Sequence, residues 1–255
     1  MYFSTNRLKR GVQGLIGSVV RGFPVHFDYT KKELIDYTFK NVVPDARSFA
    51  DLGGVWRIGG AYTFYVLDTY TIQSAALVDT NFTSTVCEKS RKYSNLVLIE
   101  DNFGSRSVAK RIEYVDAILL FDVLLHQVKP DWNEILEMYS HVTRCFVVYN
   151  QQFIASEATV RLPELGAEKY FEHVRIDRNE SAYKNLFEKP NEIHPQHNRP
   201  WRDVHNVWQW GITDKDLIDT MNRLGFILHY RKNHGQFSNF RSFENHAFIF
   251  LKTKE

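Results

Sequence analysis

Three carboxylates stand where a nucleoside would need them, each near the end of a short apolar run. The first lies in Asp51-Leu-Gly-Gly-Val-Trp-Arg-Ile-Gly-Gly60, the second closes Ala75–Asp79, and the third follows Asn95–Ile99 in Glu100-Asp101-Asn102-Phe103. Gly53 and Gly54 allow backbone to approach a ligand closely, and a helix starting after them would turn free N–H groups toward its anionic part. The spacing is not G-x-G-x-x-G, and Asp51 would stand where a pyrophosphate passes, which argues against NAD or FAD. A nucleotide site of another kind and an ordinary tight turn both stay open. Asp79, nineteen residues after Gly60, suits a ribose diol, because a carboxylate accepts two charge-assisted hydrogen bonds. Asp101 suits the exocyclic amine of adenine, backbone near Asn102 the ring edge, and Phe103 its face. A single acid at a strand end is an ordinary solvated cap; three in succession behind a glycine turn are harder to dismiss.

The elements that would position these acids follow from periodicity. Ser48–Leu52, Ala75–Asp79, Asn95–Ile99, Val115–Phe121 and Arg144–Tyr149 are apolar, rich in Val, Ile, Leu or Phe, and too short for helices. Near-continuous apolarity implies burial on both faces, hence parallel strands joined by crossover helices. Gly60–Tyr70, Asn81–Arg91, Ser105–Glu113 and Asp131–Val142 supply those helices, the last with a capping box of Asp131 and Glu134. A further helix starts at Thr213 with an acid at Asp216, carries the stripe Leu217, Ile218, Met221, Leu224, and ends at Gly225. Phe226–Tyr230 and Ala247–Lys252 then read as an antiparallel strand pair split by a polar, glycine-containing segment. In such sheets the site lies at the carboxyl ends of the strands, where the strand order reverses.

Composition bounds the function classes. With 255 residues, 44% hydrophobic and 15% aromatic, the chain buries a substantial core and is neither disordered nor a stapled mini-protein. The formal charge of +2, from 32 basic and 30 acidic residues, gives no field that demands nucleic acid. Two cysteines, Cys87 and Cys145, make neither a disulfide framework nor a metal-ligand pattern. With no apolar run near the ~20 residues of a membrane span, a cytoplasmic location is expected. Before residue 28, Arg7, Lys9, Arg10 and Arg21 accompany Leu8, Val12, Leu15, Ile16 and Val19 at roughly helical spacing. That basic amphipathic segment reads either as a cover over the site or as a weak membrane or partner contact.

The element order from Ser48 to Lys252, with "LIDTMNRLGFIL" before the terminal strands, resembles the class I S-adenosylmethionine-dependent methyltransferases. The resemblance implies a doubly wound, Rossmann-like α/β fold. Its sheet is seven-stranded and mostly parallel, with an antiparallel terminal pair. Residues 1–47 form an N-terminal helical cover, residues 48–255 the methyltransferase domain, and residues 152–203 a lid or substrate-recognition insertion. It implies S-adenosyl-L-methionine as cofactor, with Asp51, Gly53 and Gly54 at its methionine end, Asp79 on the ribose and Asp101 on the adenine. The family's loop alternates glycines; here Val55 and Arg57 take the later glycine positions, and Gly59-Gly60 follow late. Phe121-Asp-Val-Leu-Leu-His-Gln-Val-Lys-Pro-Asp-Trp132 resembles the family's segment beside the reactive sulfonium, which sets Asp122 toward the cofactor ammonium and His126 nearest the methyl-transfer point.

Transfer to a hydroxyl requires a base, and a neutral imidazole suits that at pH 7. His126 is the first candidate; His194 and His197 in the insertion are others, with His205 beside them. His194-x-x-His197 lacks a third ligand, so no metal is expected. Trp201, Trp208 and Trp210 offer either aromatic faces for a sugar or planar substrate or core packing. The balanced charge of Leu162–Asp203 favours O-methylation of a small-molecule, glycan or other natural-product hydroxyl over a nucleic acid. The competing readings are a cofactor-binding or regulatory protein of the same fold without chemistry, and a nicotinamide-dependent oxidoreductase.

Overall fold

The computed structural model describes residues 27–253, together with a backbone pairing of Val19–Val20 with Phe23–Pro24. Apart from that pairing, the basic segment expected before residue 28 lies outside the described residues.

The seven apolar segments form one sheet: β1 (Ser48–Leu52), β2 (Ser74–Asp79), β3 (Leu96–Glu100), β4 (Ala117–Phe121), β5 (Cys145–Phe153), β6 (Phe226–Phe237) and β7 (Phe240–Lys252). Their spatial order is β6-β7-β5-β4-β1-β2-β3. The strands β1 to β5 pair parallel, while β7 pairs antiparallel with both β5 and β6. The chain therefore starts in the middle, winds outward to β3, then returns across β1 to build the other half. The reversal falls between β1 and β4, and in open α/β sheets ligands bind at the carboxyl ends of the strands at that point.

The helices are α1 (Tyr29–Tyr37), α2 (Ala61–Thr69), α3 (Ser84–Ser90), α4 (Arg106–Ile112), α5 (Trp132–Ser140), α6 (Ala167–His173), α7 (Ser181–Glu188) and α8 (Asp214–Arg223). On one face Val108, Ile135, Leu136, Leu217 and Met221 from α4, α5 and α8 pack on Ile118, Leu120, Phe146 and Val148. On the other, Leu34 and Ile35 from α1, Phe39 from the turn that follows it, and Tyr62 and Val66 from α2 pack on Phe49, Leu119 and Val147. The expected capping box forms, with Asp131 and Glu134 each accepting the other's backbone N–H. The helix before β1 is anchored by two buried apolar side chains, Leu34 and Ile35, so its position is set by the core.

Two expectations require correction. The terminal strands are not short runs with a polar spacer: β6 and β7 extend to Phe237 and Phe240 and turn over two residues. β5 likewise runs on through the polar residues Asn150, Gln151 and Gln152, all buried. The physical reason is the segment that follows. Leu162, Tyr170, Val174, Tyr183, Leu186, Val204, Val207 and Trp208 form an apolar cluster with Phe153, Phe240 and Phe243. The long hairpin is the floor on which residues 152–203 pack, and alternation of Phe237, Phe240 and Phe243 with polar residues is what conceals it from a search for apolar runs.

Candidate functional site

At the switch point the turn after β1 and the turn after β4 meet. Gly53 has φ +79°, and a Cβ there would lie 2.7 Å from Val123 Cγ1, so no other residue fits between the two turns. Gly54 crosses directly over the Asp51 carboxylate: a Cβ at this position would be 2.4 Å from Oδ2. Asp51 is 1% exposed, and Thr63 Oγ1 at the start of α2 donates to its Oδ2 at 2.6 Å. Burial, followed in size by the opposing Thr63 bond and then by the charge of Asp79, raises the Asp51 pKa to about 6.

Asp79 closes β2 as expected, but its carboxylate is held by the chain itself. Oδ2 accepts the Val55 N–H at 2.9 Å and the Trp56 N–H at 3.3 Å, and Oδ1 accepts the Thr80 N–H at 2.8 Å. Burial raises its pKa against these backbone bonds, which lower it. Asp101, beyond β3, accepts the Asn102 N–H at 2.7 Å and lies 4.0 Å from Arg111. Asn102 turns inward to accept the Gly104 N–H. Phe103 differs from the expectation that it covers a ligand face: it is 7% exposed and sits in the core of the α4–α5 side. Its carbonyl accepts the Tyr139 hydroxyl at 2.7 Å, and its ring lies 3.3 Å from the Cβ position of Gly53. It therefore braces the glycine turn from behind.

Asp122 follows β4 with φ +58°. Its Oδ1 accepts Gln151 Nε2 at 2.7 Å, and Oδ2 accepts the Lys31 ammonium from α1 in an ion pair. That ammonium lies 4.9 Å over the Tyr149 ring and 5.9 Å from the Tyr62 ring centre. Burial, helped by the charges of Asp28, Asp122 and Asp51 and opposed by the Asp28 N–H that its hydroxyl accepts, raises the Tyr62 pKa. Lys31, Tyr62, Thr63, Tyr149 and Gln151 thus join the site, and sequence reasoning missed all five. The uncharged polar run Asn150-Gln151-Gln152 directly after an apolar strand was the one available signal; Lys31 in an ordinary charged helix carried none.

His126 stands in the turn after β4, partly buried, with Nδ1 at 2.7 Å from the Val207 carbonyl. A carbonyl only accepts, so Nδ1 carries the hydrogen and the lone pair is on Nε2. Burial lowers its pKa, with the Val207 bond and the Asp122 charge opposing, and the ring is neutral at pH 7. His194 is placed differently. Its Nδ1 accepts the Gln196 and His197 N–H groups at 3.1 and 3.3 Å, and its ring lies against Trp201. It organises its own loop, and that lone pair is spent. His197 is exposed on the same loop, its ring against that of His194, and the contacts of both imidazoles lie within their own loop. His205 instead bonds the Val128 carbonyl at 3.0 Å, and burial lowers its pKa to about 4. No group of three metal-ligating side chains occurs among the described residues.

The tryptophans before α8 serve packing. Trp208 is buried among Phe237, Phe240 and Phe243, and Trp210 Nε1 donates to the Gln127 carbonyl at 2.6 Å. Trp56, by contrast, is 68% exposed, with the Arg57 guanidinium 4.4 Å above its ring. No helix among the described residues is long and apolar enough to cross a membrane.

No protein-family profile matches this chain, and no curated protein matches it in sequence. Solved structures do match in shape. The N-terminal domain of EvdMO1 with SAH bound has a TM-score of 0.56 at 12% identity, over 94% of this chain and 91% of that one. An O-methyltransferase family protein from Burkholderia thailandensis has a TM-score of 0.52 at 11% identity over 89% of this chain, which spans 57% of that protein's length. Magnesium protoporphyrin IX methyltransferase (ChlM) from Synechocystis PCC 6803 with bound SAH has a TM-score of 0.51 at 11% identity, over 88% and 82% of the two chains. At these identities the likeness is one of fold, and it agrees with the doubly wound sheet expected from the sequence.

Proposed function

We propose that this chain is an S-adenosylmethionine-dependent methyltransferase whose acceptor is a hydroxyl of a small molecule, sugar, glycan or other natural product. The observation that carries the reading is the succession of Asp51, Asp79 and Asp101 at the carboxyl ends of β1, β2 and β3, beside the strand-order reversal and behind a glycine turn. The residues fit the cofactor in chemistry: the Gly53–Gly54 turn is a cradle that a Cβ would fill, and each end of the ligand meets an acid. Asp51 and Asp122 would hold the methionine ammonium, Asp79 the ribose diol in exchange for the long Trp56 bond, and Asp101 with the Asn102 backbone the adenine edge.

When bound, the cofactor supplies an electrophilic methyl on a cationic sulfonium. The chain's own contribution is to position the acceptor, exclude water and receive the proton of its hydroxyl. His126 Nε2 is the group for that proton, since the Val207 carbonyl fixes the tautomer and burial keeps the ring neutral. General-base assistance of this kind contributes roughly 10²–10⁴-fold. The packed insertion of residues 152–203, resting on the long hairpin, is the element to select the acceptor.

A second reading, a binding protein of this fold without chemistry, is favoured by Val55 and Arg57 at later glycine positions and by loop amides on Asp79. Calorimetric titration with S-adenosylhomocysteine tests the cofactor assignment: saturable one-to-one binding is expected, and its absence would refute the methyltransferase. Binding without release of S-adenosylhomocysteine from S-adenosylmethionine across a panel of sugar and phenol acceptors would favour the second reading.

A further inference from the structure

The carboxylate placed for the ligand's ammonium already holds an ammonium, that of Lys31. Lys31 is 9% exposed, with an aromatic ring on each of two sides and one carboxylate in contact. Asp122 keeps a second donor, Gln151 Nε2, which in turn contacts Asn245 Oδ1 at 3.2 Å. The helix that carries Lys31 is fixed: Leu34 and Ile35 are 3% and 0% exposed, and Thr30 Oγ1 bonds the Tyr149 hydroxyl at 3.2 Å. The lysine stem, with four rotatable bonds, is the one part of this contact free to move.

We propose that Lys31 is an internal plug, a side-chain cation that competes with the cofactor's methionine ammonium for Asp122. The inference rests on the methyltransferase reading. An ammonium buried between tyrosine rings needs its counter-charge, and with Lys31 on Oδ2 and Gln151 on Oδ1 a second cation meets at Asp122 a charge already balanced by Lys31. Cofactor entry is then an exchange: the ligand's ammonium takes Asp122 and the Lys31 ammonium swings away from it. Affinity is reduced by the fraction of molecules in which Lys31 occupies the carboxylate. The device makes α1, which lies outside the doubly wound sheet, a determinant of cofactor affinity.

The test is titration calorimetry of the full chain with S-adenosylhomocysteine, which retains the ammonium. Lys31→Met is expected to bind at least tenfold more tightly than the natural chain, and Lys31→Arg to bind as the natural chain does. Asp122→Asn is expected to weaken binding and to erase the advantage of Lys31→Met in the double variant. Should Lys31→Met fail to fold, Lys31→Gln, which keeps a hydrogen-bond partner for Asp122, replaces it. Equal or weaker binding by the neutral variant, with the natural chain binding normally, overturns the plug and leaves the methyltransferase reading standing. No binding by either chain overturns both.

Discussion

Asp51→Asn isolates the cost of keeping a carboxylate at the switch point. In the folded chain burial lifts the Asp51 pKa from 3.8 to about 6, so between those values the folded state holds a proton that the unfolded state has shed. Stability therefore falls as pH rises through this window, and above it the whole penalty, about 3 kcal/mol, is present. The amide cannot ionise and escapes that penalty, while its oxygen still accepts from Thr63 Oγ1. Its NH2 group brings a cost of its own, on the order of 1–3 kcal/mol if unmatched, but that cost does not vary with pH. The informative quantity is the change in the difference between variant and natural chain, measured by urea unfolding at about pH 4.5 and about pH 7.5. It is expected to shift by roughly 2 kcal/mol in favour of the variant at the higher pH, about 4–8 °C in Tm for a chain of this size. Parallel pH profiles would show that Asp51 is not held in a medium that raises its pKa, and the picture of a desolvated acid under Gly54 would fall.

Three further substitutions probe the site. Gly54→Ala places a methyl 2.4 Å from a buried oxygen; a loss of about 1–3 kcal/mol by urea unfolding is expected, together with loss of S-adenosylhomocysteine binding, and near-natural stability would contradict the packing. Asp79→Ala removes the acceptor for the Val55, Trp56 and Thr80 amides and should abolish calorimetric binding; normal binding would refute the ribose assignment. His126→Ala should retain that binding while methyl transfer to an accepted substrate falls by roughly 10²-fold or more. In the natural chain, two-dimensional ¹⁵N correlation spectra should show the Nδ1–H tautomer, and a protonated Nε2 at pH 7 would remove His126 as the base.

The fold was legible because the inner parallel strands are buried on both faces and so read as solid apolar runs; the edge strand β3 keeps its apolar run although Val97 is 58% exposed. Ser48–Leu52 and the capped helix at Trp132 emerge almost at their observed bounds for that reason. The hairpin was not legible in full, because residues 229 to 244 are mostly polar, with Arg231, Lys232 and Asn233 exposed in succession, and its apolar partners come from the insertion. The strand-end positions of Asp51, Asp79 and Asp101 were legible because strand ends can be located without side-chain geometry. Phe103 fits a ligand cover by its sequence position, but its burial, its approach to Gly53 and the Tyr139 bond to its carbonyl come only from the fold. His194 shows the same limit: its spacing to His197 suggests chemistry, whereas the Gln196 and His197 amides make it a loop organiser.

The strand-end acids obey one physical constraint that ties stability to binding. A doubly wound sheet brings Asp51 and Asp79 into burial and Asp122 to its margin, where an unmatched carboxylate is costly in proportion to its burial. The chain meets each with its own donors: Thr63 for Asp51, loop amides for Asp79, Lys31 and Gln151 for Asp122. A ligand arriving there exchanges bonds and does not simply add them, so its affinity is the difference between two well-satisfied states. Substitutions of the internal donors should then separate into two kinds. Loss of Thr63, whose partner stays buried, should cost folding stability, whereas loss of Lys31, whose partner the ligand can satisfy, should strengthen binding. A mere scaffold in which every donor served stability alone would show the first behaviour at both positions.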